Sequence, residues 1–345
     1  MKTLNLTLLF AILFTYSYAQ DEASSLPFEM SGSVDLYYKY DFSGFQTEDG
    51  YGNIATSFAG QNNSISVGMA NLILEKTAGK ASFVADMAFG PRGQASSILN
   101  GSDGNSFHLQ NLYVSYELSE KVSLTGGFMG TFVGYEVISP ADNFNYSTSY
   151  LFSAGPFQNA GIKLNYEIND KFGLMVGLFN DWNEYQDLNG LNDFGAQLRI
   201  SPVENWDAYV NFVSGKYSGT EIDLTTTFQV TEKFFLGLNA ADYTVADGDA
   251  GFSGVALYAQ LATTDWLDLG IRAEAFSNKD YTSEGIDFEG ESVTALTLTG
   301  NIKAGPLTII PEFRHDFSDQ TIFMKSTTET SKSAAQFLIA AVYAF

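Results

Sequence analysis

Residues 221–243, EIDLTTTFQVTEKFFLGLNAADY, decide the fold. In the first half Ile222, Leu224, Thr226, Phe228 and Val230 alternate with Asp223, Thr225, Thr227 and Gln229. A period of two places these sets on opposite faces of a strand, one apolar and one polar. Thr231-Glu232 then allows only a tight turn before a second alternating segment begins. Two adjacent segments of about ten residues joined in this way read as an antiparallel hairpin whose apolar face meets lipid.

The same unit recurs along the chain. Sixteen alternating segments lie near 31–42, 64–76, 80–90, 107–119, 122–131, 159–168, 171–181, 194–202, 206–215, 221–231, 233–243, 253–263, 266–277, 292–303, 306–317 and 334–345. Their connections alternate in length. Tight turns at 78–80, 119–121, 169–170, 202–205, 231–232, 263–265 and 304–305 are interleaved with polar loops at 43–63, 91–106, 132–158, 182–193, 216–220, 244–252, 278–291 and 318–333. Short turns at one end and long loops at the other predict an all-β fold, a transmembrane antiparallel β-barrel of about 16 strands with periplasmic turns and external loops. In 107–119, Leu112, Val114, Tyr116 and Leu118 are assigned to lipid, and Asn111, Tyr113, Ser115 and Glu117 to the lumen. Pro311 has no N–H for a ladder and 64–76 changes phase near Ala70, so a bulge is expected at each.

The ends of the chain fit export and membrane assembly. Met1-Lys2, the apolar run from Leu4 to Phe14 and Ser17-Tyr18-Ala19 have the three regions of a secretory signal, with cleavage expected after Ala19. The remainder, 20–345, is then a single outer-membrane barrel domain, placed in the outer membrane of a Gram-negative bacterium. The last segment alternates Phe337, Ile339, Ala341, Tyr343 and Phe345 on one face. An aromatic carboxyl terminus of this kind resembles the signal read by the barrel assembly machinery, which is therefore an expected partner, as are outer-membrane lipid and lipopolysaccharide. A homotrimer is compatible with such a wall.

Composition narrows the chemistry. The chain has 345 residues, no Cys and a formal charge of −23. Without Cys there are no disulfides, thiolate nucleophiles or thiolate metal sites. The acidic balance excludes nucleic acid, whose phosphates need clustered bases. His108 and His315 are the only histidines, and no motif sets a Ser beside either, so no catalytic, metal or cofactor site is assigned. Asp247-Gly248-Asp249 and Ser102-Asp103-Gly104 offer too few oxygen ligands for Ca²⁺ and read as loop acids.

The third long connection stands apart. Pro140, Asn143, Asn145, Gly155 and Pro156 prevent regular structure in 132–158, yet it carries Tyr135, Phe144, Tyr146, Tyr150 and Phe152. Such a loop is expected to fold into the barrel and narrow it. Its constriction residues are then Tyr135, Glu136, Asp142, Phe144, Tyr146, Tyr150 and Phe152. Within it, Gly134-Tyr135-Glu136-Val137-Ile138, Pro140, Asp142-Asn143-Phe144-Asn145-Tyr146-Ser147, Ser149-Tyr150-Leu151-Phe152 and Gly155-Pro156-Phe157 resemble the β-barrel porin-2 family. The likeness is specific to this loop and looser in strand pattern from Ser31 onward. It implies a barrel and a pore, without implying a solute or site residues.

Parity also places charges inside. Lys39, Glu117, Lys163, Glu167, Arg199, Asp223, Arg272, Glu274, Glu312 and Arg314 fall on the lumen face, with Asp35 and Asp86. On the lipid face a base near the midplane costs about 2–4 kcal/mol, so charges of both signs on one face argue for water there. The expected function is a water-filled porin, not an enzyme, passing small hydrophilic solutes or ions, with cations preferred at low salt. The alternatives are a closed structural or adhesive barrel, plugged by pairs such as Arg272 with Glu312 or Arg314 with Glu274, and a barrel hydrolase using His315.

Overall fold

The computed structural model describes residues 27–345 except 55, 95–106 and 284. The expected signal segment and Ser102-Asp103-Gly104 lie outside the described residues. The wall is built from β1 (Glu29–Asp41), β2 (Ile65–Ala78), β3 (Ala81–Phe89), β4 (Phe107–Ser119), β5 (Val122–Gly130), β6 (Gln158–Asn169), β7 (Phe172–Phe179) and β8 (Asp193–Val203). It continues through β9 (Trp206–Gly215), β10 (Gly219–Gln229), β11 (Phe234–Thr244), β12 (Gly251–Thr264), β13 (Leu267–Asn278), β14 (Ser292–Ala304), β15 (Leu307–Phe317) and β16 (Ser333–Ala344). Each strand pairs with its sequence neighbours and β16 pairs with β1, giving a closed barrel of 16 antiparallel strands. Closure removes the unpaired edge that hydrocarbon could not solvate. Phe345 completes the seam, exchanging two 3.0 Å backbone hydrogen bonds with Gly32.

The hairpin 221–243 has the register expected of it, with Thr226 opposite Leu238 and Asp223 opposite Ala241. Ile222 and Leu224 are exposed on the outer wall while Asp223 and Thr225 are buried inside. A bulge does occur near Ala70: Val34 pairs with Ala70 and Leu36 with Val67, so β2 holds one extra residue around Gly68-Met69. None occurs at Pro311. Pairing of β14 with β15 lapses between Thr299–Glu312 and Ile302–Ile309 but resumes in the same register, while Pro311 stays opposite Ile339 of β16. The missing N–H therefore costs ladder bonds on one side without inserting a residue.

Three connections differ from their reading as plain polar loops. The link between β9 and β10 is only residues 216–218, because Gly215 already pairs with Gly219. The loops after β13 and β15 contain small hairpins, Tyr281–Ser283 with Ile286–Phe288 and Phe323–Met324 with Thr330–Ser331. Among the described residues no helix is long and apolar enough to cross a membrane; the wall crosses with strands.

Candidate functional site: the loop inside the barrel

The connection 131–157 leaves β5 and runs within the ring, ending in a short helix, α1 (Tyr150–Ala154). Ser149 caps α1, its hydroxyl accepting from the Phe152 N–H at 3.0 Å. The backbone around this helix cannot satisfy itself, so its polar groups go to inward side chains of β13, β14 and β15. Glu274 accepts the N–H groups of Tyr150 and Leu151 at 3.0 and 2.9 Å. Glu312 accepts those of Tyr146 and Ser147 at 3.0 and 3.2 Å. In the other direction Arg272 donates to the Ser147 carbonyl at 2.7 Å and Arg314 to that of Thr148 at 2.8 Å. Asn145 reaches Thr299 at 2.7 Å, and the Gly134 N–H meets Asp223 at 3.1 Å.

Charge is balanced locally. Glu136 pairs with Arg272 at 2.5 Å while its other oxygen accepts the Ser149 N–H at 2.7 Å. Arg314 pairs with Asp316 at 2.9 Å. The strand-to-strand pairs Arg272–Glu312 and Arg314–Glu274 do not form; the loop supplies the counter-charge of Arg272 through Glu136, and Asp316 on the same strand supplies that of Arg314. Arg272 and Arg314 have no solvent exposure, and Lys39, Asp223, Glu274 and Glu312 are also buried. The parity of these residues points them inward, but Arg272, Glu274, Glu312 and Arg314 meet the loop, Asp223 is held by Asn211 and Gly134, and the Lys39 ammonium is buried without a hydrogen-bond partner among the described residues. Lys163, half-buried, lines a cavity with Asn111 and Tyr113, and Arg199 pairs with Glu167 at 2.5 Å toward the turn end, where Glu117 is exposed.

The loop aromatics divide into two groups. Tyr146 is fully buried among Tyr37, Ile310, Leu338 and Ala340, and its hydroxyl bonds Asp35. That contact explains an apolar inner face on β16, Leu338, Ala340 and Val342, which a water-facing strand would not carry. Tyr150 donates to Asp316 at 2.8 Å, and Phe152 packs against Phe58 and Phe157. Burial, reinforced by the adjoining carboxylates, holds the Tyr146 and Tyr150 hydroxyls well above the usual tyrosine range, so both stay protonated donors despite Arg92 and Arg314 nearby. Tyr135 and Phe144 instead lie flat against the wall. Tyr135 stacks on Tyr258 at 4.2 Å and crosses Gly237, where a Cβ would come 2.8 Å from its Cζ. Phe144 crosses Gly270 in the same manner. Asp142 is exposed at the cavity edge.

Sequence reading missed three participants. Arg92 sits between the rings of Phe58 and Tyr146, at 4.5 and 4.8 Å, and donates to the carbonyls of Ile138 and Tyr146. Asp316 shares the face of Arg314 two residues away, a parity signal that was available. Tyr258 gave no signal, because an inward tyrosine is indistinguishable from other lumen residues. His315 lies on the outward parity, its ring 3.9 Å from that of Phe317.

The loop does not fill the ring. A cavity of about 710 Å³ lies between it and strands β8 to β14, lined among others by Tyr135, Phe144, Gln197, Tyr258 and Gln260. Two further spaces of about 330 Å³ lie on the side of β2 to β6, and Thr131 lines all three. The family model "Putative beta-barrel porin-2, OmpL-like" matches residues 27–345. The chain belongs to that family of outer-membrane porins. Solved structures similar to this porin include OmpF of Salmonella typhi in complex with daunomycin, at 12% identity and TM-score 0.62, covering 92% of this chain and 97% of that one. An anion-selective porin from Comamonas acidovorans is similar at 12% identity and TM-score 0.60, over 92% and 99% of the two chains. The trimer form of OmpT, an outer-membrane protein of Vibrio cholerae, is similar at 14% identity and TM-score 0.57, over 92% and 99%. At such identities the likeness shows the fold. The search of curated proteins found no match.

Proposed function

We propose that this porin conducts small hydrophilic solutes and ions by passive diffusion, and that residues 132–158 form the constriction that sets the size limit. The observation that carries this reading is where the loop is tied. Its backbone at 146–151 is held by Arg272, Glu274, Glu312 and Arg314 on β13 and β15, leaving the space against β8 to β14 to solute. Sixteen strands support it too, since barrels of that size leave an aqueous channel where eight-stranded ones are filled by side chains. The rims of that space are set by Tyr135, Glu136, Asp142 and Phe144. Tyr146, Tyr150 and Phe152 anchor the loop from behind. Export by a signal cleaved after Ala19, insertion by the barrel assembly machinery and association as a homotrimer belong to the same reading.

The test is deletion of Val137–Ser153 with a short Gly/Ser linker, followed by single-channel recording in planar bilayers. Conductance should rise, because the deleted segment occupies the lumen, and Arg272 and Arg314, buried in the parent, would then be uncovered and solvated. A deletion variant that is folded and heat-modifiable, yet conducts like the parent, would remove the loop from the pore.

A further inference from the structure

The chemistry of the cavity against β8 to β14 identifies a class of solute. Of its lining residues none is Lys or Arg, and its carboxylates are Glu136 and Asp142. Glu136 is spoken for by Arg272 and the Ser149 N–H. What remains is aromatic surface on several walls, Tyr135, Phe144, Tyr209 and Phe235, together with neutral hydrogen-bonding groups. Gln260, Thr225 and Thr227 enter it, and the Oδ1 of Asn301 is buried without a partner while its Nδ2 holds the Phe144 carbonyl. Planar amides and hydroxyls both donate and accept, whereas aromatic faces take up C–H surface. One class of small solute presents both features without charge: the polyols and sugars, whose rings have an apolar C–H face and an equatorial rim of hydroxyls. The volume of about 710 Å³ falls within the range of roughly 300–1,000 Å³ usual for small-molecule sites.

We infer that this cavity is a binding subsite for a neutral, polyhydroxylated solute of one or two sugar rings, which rests on the reading of the barrel as a solute channel. An ionic solute is disfavoured for a physical reason. An anion would face Asp142 and Glu136 with no free base, and a cation would have only the rim carboxylate of Asp142, which water and salt screen. The aromatics are distributed over separate walls instead of enclosing a point, so they do not form the box that holds a quaternary ammonium group.

The experiment is saturation-transfer NMR on the refolded full chain in detergent, with sucrose, gluconate and choline as separate probes, and bilayer conductance measured on the same preparation. Sucrose ring protons should receive saturation and the other two probes should not. Gln260→Ala and Thr225→Val, each checked for heat-modifiable migration, should raise the sucrose Kd about fivefold, the factor that corresponds to one hydrogen bond of about 1 kcal/mol. A conducting protein with no transfer to sucrose, or with transfer unchanged in both variants, overturns the subsite while leaving the channel intact. Equal or greater transfer to choline or gluconate overturns it as well. Transfer to sucrose from a protein that carries no current supports the subsite and refutes diffusion through the barrel.

Discussion

Gly237→Ala tests how the loop is seated. The added Cβ would stand 2.5 Å from the Tyr135 hydroxyl oxygen, 2.8 Å from Cζ and 2.9 Å from Cε2. Carbon pairs settle at about 3.5–4.0 Å, so the ring must retreat by roughly an ångström. It cannot slide along the wall, because it is stacked on Tyr258 at 4.2 Å, and the free direction is into the cavity it borders. Overpacking of this kind costs about 1–3 kcal/mol. Gly126→Ala on β5 is the control, since its nearest neighbour would be 3.8 Å away, and in a strand the exchange stabilises by about 0.5–1 kcal/mol. Because both glycines lie in strands and share that gain, the two variants should differ by the overpacking cost, about 1–3 kcal/mol, in urea unfolding from detergent or lipid. Single-channel conductance should fall in Gly237→Ala and stay at the parental level in Gly126→Ala. Equal stability and equal conductance in the two variants would refute both the seat of Tyr135 and its position beside the conducting path.

Arg272→Ala should destabilise by about 3–5 kcal/mol by leaving Glu136 buried without its partner, while Arg272→Met with Glu136→Gln should recover much of that; a double-mutant cycle in urea measures the coupling. Folding raises the pKa of Tyr146 and Tyr150 above the ordinary 10.0, so their contribution is complete below that pH and is lost as pH rises beyond it. Stability should accordingly be insensitive to these groups from neutral pH to about 9 and decline above about 10, with Tyr146→Phe/Tyr150→Phe flattening the alkaline limb of the denaturation profile. Because Arg272 and Arg314 are paired with Glu136 and Asp316 and buried under the loop, ion selectivity should respond to Asp142 and Lys163 instead. Lys163→Glu should shift the reversal potential toward cations at low salt, an effect that fades as the Debye length shrinks from about 30 Å at 0.01 M to about 3 Å at 1 M. A reversal potential unmoved by that substitution would place Lys163 away from the ion path.

The wall was legible in the sequence because a strand exposes its environment residue by residue. Lipid on one side and protein or water on the other impose a period of two, and Ile222, Asp223, Leu224 and Thr225 report it without any knowledge of their neighbours. Turn and loop lengths then fix the pairing of consecutive strands, and the bulge at Gly68-Met69 is visible as a change of phase. The interior was legible only as a face. Parity put Arg272, Glu274, Glu312 and Arg314 inside, but whether an inward charge meets water, another strand or a loop depends on what crosses the ring, which no periodicity encodes. Tyr146 on the apolar inner face of β16, Arg92 between two rings and Gly237 beneath Tyr135 join residues up to 196 positions apart. Such contacts are set by the closure of the barrel and by the path of one irregular segment through it. Local sequence could mark that segment as too apolar for water; only the tertiary structure decided where its hydrogen bonds and charges would find their partners.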